Sequence, residues 1–395
     1  MKILMLSVDG KIFNKKSEVR DRMITYGSLF DELHIVIYTP RGFKEEKIAP
    51  NVFLYPTNSR TKFLYFWDAY SVCKKLLKQY SDFVVTSQDA MTNIVALFLK
   101  MQFSFPLQIQ IHTDFLSPYF KTESLKNFIR YIIYKTSLRY ANCIRVVSKR
   151  IKDSIIANCK LSACVRSAGR QIANCVTLPI FVDAEKIKNA LPVTLPKKYD
   201  PVRSCARDRV ASPEDRGAAT SNGAGFTILW VGRLEREKNI TLAITALAQF
   251  VKKFPNAGLV IVGDGTERKK LELQATSYKL QANIIFEGWK NDVVGYYKSA
   301  DVLLVTSWYE GYGMNMVEAR IAGIPVIAPD VGVAFEIGAY ITDHTADSIA
   351  QTLIQLYEQK LPKRDAYEYP YKNKEQYLQL YKESFERCLS NGKKI

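Results

Sequence analysis

The chain has no Asp-X-Asp triplet and only three histidines among its 395 residues. The first absence removes the usual carboxylate cradle for a metal bound to a diphosphate, so no metal cofactor is expected. Seven cysteines, an odd number, argue for reduced thiols in a reducing compartment. Cys159, Cys164 and Cys175 have four and then ten intervening residues and no histidine near, unlike the paired short units of common zinc sites. A secretory leader is not legible either. Met1–Ser7 is an apolar run of strand length, with Asp9, Lys11 and Lys15 directly behind it. The best candidate for a membrane span, residues 94–111, is interrupted by Lys100, Pro106 and three glutamines. No internal repeat is visible, and neither a helix-turn-helix, a zinc finger nor an RNA-recognition pattern appears, so no nucleic-acid partner is expected. The expected location is cytoplasmic.

What is present is globular: 47% hydrophobic and 24% charged residues, at a length that calls for about two domains. Net charge is +17 and unevenly placed. Residues 226–395 hold 21 basic and 20 acidic side chains, against 35 and 19 in residues 1–225. A basic half suggests an anionic partner.

Short apolar runs alternate with helix-periodic stretches in both halves. Lys2–Val8, His34–Tyr38, Phe83–Ser87, Leu107–Ile111 and Cys143–Val147 read as strands in the first. Phe226–Val231, Leu259–Val262, Asn283–Phe286, Val302–Thr306 and Pro325–Ala328 do so in the second. Phe63–Gln79, Leu125–Tyr140, Lys149–Asn158, Ile240–Phe254, Glu267–Lys279 and Ile349–Glu358 read as helices. Continuous apolar strands alternating with helices predict an α/β chain of two doubly wound, parallel-sheet domains, with ligands beyond the carboxyl ends of the strands. The expected division is 1–182, a linker or inserted loop at 183–225, 226–372, and a closing helix within 373–395. Arg203–Gly225 is poor in large apolar residues and reads as solvated; Ser162–Gly169 has similar character. The closing helix carries Tyr377, Leu380, Tyr381 and Phe385 on one face, so it packs against something.

The most informative segment is Ser307–Gly323, SWYEGYGMNMVEARIAG. It lies between two apolar runs and reads as turn, short helix and glycine stop. Exposed N–H groups at the helix start favour an anion such as a diphosphate. Gly311 and Gly313 let the chain turn and a ligand approach. Glu310 and Glu318, eight positions apart, can accept hydrogen bonds from hydroxyls of a sugar and a ribose. A capping glutamate and a solvated one would look the same. After the strand ending at Val231 come Arg233 and Lys238, placed to neutralise a diphosphate, with Asn239 as N-cap of the next helix. Gly263 and Asp264 follow the next strand, either bordering a nucleotide base or making a plain turn, with Thr266 as a helix cap. His112 and Asp114 follow Leu107–Ile111, and His112 there is a catalytic or sugar-contacting candidate.

Taken together these residues resemble the retaining glycosyltransferases of family 4, with the GT-B fold. The match is carried by VGRL at 231–234 with Lys238 and Asn239, by EGYGM at 310–314 running to VEARIAG at 317–323, and by PVI at 325–327. Val262–Gly265, the run from Ala141 to Ser148, and Pro179–Asp183 support it. The resemblance implies a nucleotide-diphosphate-sugar donor held by the C-terminal domain and a saccharide or lipid-linked acceptor held by the N-terminal domain. It assigns Arg233 and Lys238 to the donor diphosphate, Glu310 to the transferred sugar, and Glu318 to the ribose. Backbone at Gly311, Gly313, Met314 and Asn315 would cap the phosphates, His112 would lie near the anomeric carbon, and the last helix would return to the first domain. Metal independence is a property of the family. Gly10 and Asp114 would serve the acceptor side, although the loop Asp9–Ile12 lacks the double glycine often found there, and Pro179–Asp183 lacks the family's Asn-Gly.

Two further readings complete the expectation. Tyr119–Tyr140 holds five Lys/Arg, one Glu and six aromatics, and reads either as an amphipathic helix on an anionic membrane or as a core helix with a solvated basic side. On the first reading the protein is peripheral at the inner face of the membrane. The function expected is transfer of a hexose in glycan, polysaccharide or glycolipid synthesis. Epimerisation or hydrolysis of the same donor, and non-catalytic nucleotide-sugar binding, are the alternatives.

Overall fold

The computed structural model describes residues 1–80, 82–158, 175–195 and 225–390, the side chain of Ser390 excepted. Ser162–Gly169, nearly all of Arg203–Gly225, and Cys159, Cys164 and Cys205 lie outside them. The chain forms two compact units, Met1–Pro179 with Tyr371–Ile395, and Ile180–Pro370.

The first unit is built on an eight-stranded sheet: β1 (Lys2–Ser7), β2 (Glu32–Ile37), β3 (Glu46–Ala49), β4 (Val52–Pro56), β5 (Phe83–Ser87), β6 (Leu107–Ile111), β7 (Cys143–Val146) and β8 (Cys175–Thr177). Their order is β3-β4-β2-β1-β5-β6-β7-β8. Every pairing is parallel except β3 with β4 at the edge. Ile3, Leu4, Met5 and Leu6 of β1 are all buried, as a strand covered on both faces requires. The helices are α1 (Glu18–Gly27), α2 (Tyr65–Gln79), α3 (Ala90–Lys100), α4 (Pro118–Glu123), α5 (Leu125–Ser137), α6 (Lys149–Asn158) and, from the chain's end, α13 (Lys374–Ser390). Helix α3 starts at a capping box of Asp89 and Thr92 and buries Val95, Ala96 and Leu99. Val95 and Leu99 each contribute roughly 1.5–3 kcal/mol on burial, and the Ala96 methyl about 0.8.

Helix α13 packs on β5, β6 and β7. Tyr377, Tyr381, Phe385 and Cys388 recur at helical spacing and are buried there. The sheet face beneath them is polar. Gln110 Nε2 donates to Thr86 Oγ1 (3.0 Å) and Gln108 Oε1 (3.1 Å), and Gln108 Nε2 donates to the Ser384 carbonyl (3.1 Å). Arg145 Nη1 donates to Gln110 Oε1 (2.6 Å) and Nη2 to Tyr377 Oη (3.3 Å). Cys143 and Cys388 face each other between β7 and α13, with Cα atoms 5.3 Å apart, within reach of a disulfide. A separation of 245 residues leaves no short spacing by which the pair could be read. Cys73 and Cys175 are free and buried.

The second unit holds an all-parallel sheet of β9 (Thr227–Val231), β10 (Gly258–Val262), β11 (Ile284–Gly288), β12 (Val302–Leu304), β13 (Val326–Pro329) and β14 (Tyr340–Thr342), in the order β11-β10-β9-β12-β13-β14. Its helices are α7 (Ala184–Asn189), α8 (Ile240–Phe250), α9 (Arg268–Ser277), α10 (Val294–Lys298), α11 (Met314–Ile321) and α12 (Ala346–Tyr357). Trp230, Leu247, Phe250, Leu259, Ile349 and Leu353 belong to one apolar core. Residues of the range read as linker are structured: Asp183 accepts from Lys186 N at the start of α7 (2.9 Å), and Ser299 Oγ donates to the Val193 carbonyl (2.8 Å).

The strand orders fix where ligands can sit. From β9 the chain winds one way through β10 and β11, then restarts at β12 and winds the other way. The gap beyond the carboxyl ends of β9 and β12 is therefore the topological switch point of the second unit, and that beyond β1 and β5 of the first.

Candidate functional site

The two loops that leave β9 and β12 meet at the second unit's switch point. After β9 the chain passes through Gly232–Glu235 and a short 3₁₀ turn at Arg236–Lys238. It enters α8 through Asn239, which holds a left-handed backbone (φ 49°). Asn239 stands at the N-cap position but its side chain makes no capping hydrogen bond, because that backbone turns the side chain away from the first turn. The turn aims Lys238 at the other loop: its Nζ lies 2.6 Å from Glu310 Oε1, with both side chains mostly buried. Ser307 Oγ donates to the same oxygen (2.8 Å). Backbone ties lock the two loops together, since Trp308 N donates to the Glu237 carbonyl (2.9 Å) and Thr306 Oγ1 to the Lys238 carbonyl (2.9 Å). His344, in the loop after β14, reaches the Ser307 carbonyl through Nε2 (3.0 Å), and its ring stacks on Trp308.

Arg233 is placed differently. Its side chain is 64% exposed and Nη2 pairs with Glu237 Oε1 at 2.9 Å. The structure thus brings Lys238 and Glu310 together and holds Arg233 on a neighbouring carboxylate.

Helix α11 begins at Gly313, whose φ of 87° an L side chain rarely adopts and which brings no side chain of its own to the N-cap position. Asn315 is tied down instead: its Nδ2 donates to the Val231 carbonyl (2.9 Å) and its Oδ1 accepts from Met316 N (2.9 Å). The start of α11 is thereby pinned to the end of β9, with first-turn N–H groups facing away from the helix body. Glu318 lies one turn in, its Oε2 accepting from the buried Tyr297 hydroxyl (2.7 Å). Burial raises its carboxyl above the ordinary glutamate value, while the Tyr297 hydrogen bond works in the opposite direction.

Gly263 ends β10 against Gly232: a Cβ on Gly263 would sit 1.8 Å from the Gly232 carbonyl oxygen. Only glycine lets these two strand ends approach so closely. Asp264 is exposed, accepts from Gly265 N (2.8 Å) and lies 3.4 Å from Arg268. Thr266 does not cap the following helix: its hydroxyl donates to Glu235 Oε2 (2.8 Å), and α9 starts later, at Arg268.

In the first unit, His112 follows β6. Its Nε2 is buried and, among the described residues, has no hydrogen-bond partner. Burial, then the nearby cations Arg145 and Arg22, push its pKa down to about 3, so the ring is neutral at pH 7. Asp114 is buried, with Arg150 Nε at 3.4 Å from Oδ2; burial raises its carboxyl and Arg150 pulls it back. Gly10, in the loop after β1, has open space where a side chain would be.

Ser307, Tyr297, Thr306 and His344 support the site without having been picked out from sequence. Ser307 and His344 carried faint signals, one inside the informative segment and one among the three histidines. Tyr297 carried none, since 21 residues separate it from Glu318. Among the described residues no three His, Cys, Asp or Glu side chains group as a metal site, and no helix is long and apolar enough to cross a membrane.

Comparison with known proteins adds the following. The family model described as glycosyl transferases group 1 matches residues 211–375. The chain is 38% identical over 104 residues to an alpha-monoglucosyldiacylglycerol synthase of Acholeplasma laidlawii, covering 26% of each chain. It is 37% identical over 131 residues to an uncharacterized glycosyltransferase of Methanocaldococcus jannaschii, covering 31% of this chain and 33% of that protein. These matches span about a quarter to a third of the relatives. Among solved structures, sucrose-phosphate synthase from Thermosynechococcus elongatus superposes with a TM-score of 0.63 at 18% identity, covering 99% of this chain and 94% of that one. HepE of Anabaena, solved in complex with UDP and glucose, gives a TM-score of 0.61 at 18% identity over 99% and 95% of the two chains. The fold of these neighbours is the GT-B α/β architecture of two parallel-sheet units.

Proposed function

We propose, for a chain that belongs to the glycosyl transferases group 1 through residues 211–375, that it moves a hexose from a nucleotide-diphosphate sugar to a saccharide or lipid-linked acceptor with retention of configuration and without a metal. The observation that carries this reading is the Lys238–Glu310 pair at the switch point, where Glu310 stands three residues before the glycine at the N-cap of α11. Breaking the bond from the sugar C1 to the diphosphate leaves the bonding electrons on the leaving oxygen. Lys238 and the first-turn N–H groups of α11 are fixed charges and dipoles aimed at that oxygen, which is the arrangement that lowers such a barrier. Glu310 holds Lys238 in place and accepts from a hydroxyl of the transferred sugar. Glu318, steadied by Tyr297, accepts from the ribose. Arg233 exchanges Glu237 for a phosphate when the donor arrives, and Gly263 and Asp264 border the base.

The acceptor belongs to the first unit in this reading, with the loops carrying Gly10, His112 and Asp114 at the carboxyl ends of its strands. The named relatives favour transfer over donor hydrolysis: one is a glycolipid synthase, and another, 27% identical over 175 residues, is a poly(glycerol-phosphate) alpha-glucosyltransferase of Bacillus subtilis. Thermal melts of the chain with a panel of nucleotide-diphosphate sugars test the assignment. One or more donors should raise Tm in the wild type and fail to do so in Lys238→Ala. A panel that stabilises neither protein, or both equally, removes the site from the second unit's switch point.

A further inference from the structure

Helix α5 is amphipathic in the wrong sense for a helix on a core. It buries Asn127, Tyr134 and Ser137 against its own unit. Facing out are Leu125 (76% exposed), Phe128 (45%), Ile129 (49%) and Ile132 (47%), at the i, i+3, i+4, i+7 spacing of a continuous helical stripe. Two turns of large apolar side chains left in water cost stability unless another phase covers them. Helix α4 directly before it adds Tyr119, 43% exposed.

The chemistry around the stripe says what that phase is. Lys121 and Lys126 are exposed at its leading end. Lys121 and Lys135 both reach the Tyr131 ring, at 5.9 and 5.6 Å from its centroid. Arg130 and Arg139 complete five cations against the single acid Glu123 between residues 119 and 140. Lysine is depleted in the cores of protein–protein interfaces, whereas lysines flanking an apolar helical stripe suit anionic headgroups above acyl chains. We infer that α4 and α5 form a docking face for an anionic lipid surface, with the Leu125–Ile132 stripe entering the headgroup boundary and the lysines paired to lipid phosphates. This deepens the reading above by naming the phase in which a lipid-linked acceptor would be met. It stands on first-unit geometry, so its failure leaves the donor site untouched.

Flotation of the full chain with vesicles tests it, using phosphatidylcholine alone and phosphatidylcholine mixed with phosphatidylglycerol. The wild type should float with the mixed vesicles only, and less as salt rises. Ile129→Asp/Ile132→Asp should abolish flotation, and Lys121→Gln/Lys126→Gln should weaken it about 25-fold, about fivefold for each cation near the leaflet. Both pairs are on the surface, so circular dichroism and Tm should match the wild type and the donor-induced Tm shift should persist. Equal and negligible flotation with both vesicles overturns the inference, as does undiminished flotation of the isoleucine variant. A wild-type dimer that this variant converts to monomer, with flotation unchanged, would assign the stripe to a second copy of the chain instead.

Discussion

The two units share a scaffold and differ in where they keep their polar groups. In the second, the face of the sheet under α8 and α12 is apolar throughout, and charge is confined to the strand ends, where Lys238 meets Glu310. In the first, the middle of the sheet is polar: Thr86, Gln108, Gln110 and Arg145 are all buried beneath α13. Among the described residues no carboxylate lies within ion-pair distance of Arg145; amide and phenol oxygens take its place. The difference follows from where the covering helices come from. α8 follows β9 directly, so chain connection and apolar pattern are enough to seat it. α13 returns from the far end of the chain, and a network of directional hydrogen bonds specifies its register where apolar contact alone would let it slide.

The sharpest way to break this comparison is to remove the ring at the centre of the network. Tyr381 is fully buried, and Tyr381→Ala should cost about 3–5 kcal/mol in urea unfolding. The loss belongs to the transition of the first unit, so a nucleotide sugar that stabilises the second should leave it in place. Tyr381→Phe keeps the ring and loses only a hydroxyl 3.5 Å from Gln110 Nε2, and should cost under about 1 kcal/mol. If the two variants are equally destabilised, polar register and not packing dominates. In the second unit the larger loss is in function. Lys238→Ala should lower sugar transfer about 10²–10³-fold, measured as nucleotide release, while lowering stability by about 3 kcal/mol, since it leaves the mostly buried Glu310 carboxylate without its cation.

How much of this could be read beforehand divides along the same line. Five of the second unit's six strands (β14 was missed), its helices α8, α9 and α12 and the Ser307–Gly323 element were legible because apolar period, glycine placement and carboxylate spacing are local. Strand order is not local, so the switch point between β9 and β12, which explains why Lys238 and Glu310 meet, had to be seen. Thr266 was misread as a cap, and Asn239 holds the N-cap position without the capping bond, because a side chain drawn to Glu235 and a left-handed backbone leave no trace in composition. In the first unit β3, β4 and β8 were missed: they are short, and all three lie at or next to a sheet edge, where burial no longer enforces an apolar run. The basic helix was seen in the sequence, but which of its faces is covered depends on the tertiary packing of α5.

A smaller effect sharpens the contrast between buried polar groups with and without partners. His112 has a folded pKa of about 3, below its unfolded value of about 6.5, so the unfolded chain binds the extra proton. Its contribution to stability is complete above about pH 6.5 and drains as pH falls toward 3, at up to about 1.4 kcal/mol per unit. Melts of the wild type between about pH 7 and about pH 5 should therefore show a steeper fall than those of His112→Asn. Parallel curves would mean that the ring takes up its proton without resistance, and that the orphaned nitrogen is reached by water.

The smallest effect on stability bears on Arg233, a cation of the loop after β9 that the structure pairs with Glu237 instead of aiming it at Glu310. The Arg233 side of its pairing with Glu237 is largely exposed, and pairs open to solvent contribute between nothing and about 1 kcal/mol. Glu237→Gln should therefore leave the unfolding free energy within about 0.5 kcal/mol of the wild type while freeing the guanidinium from its resting partner. If Arg233 serves the donor diphosphate, that release removes a competitor for it, and the half-saturating donor concentration should fall by a few-fold with little change in the maximal rate. Arg233→Ala should move the same constant the opposite way. Glu237→Gln and Arg233→Ala both leaving donor affinity unchanged would make the arginine a surface residue, and Lys238 the sole side-chain cation of that loop acting on the leaving group.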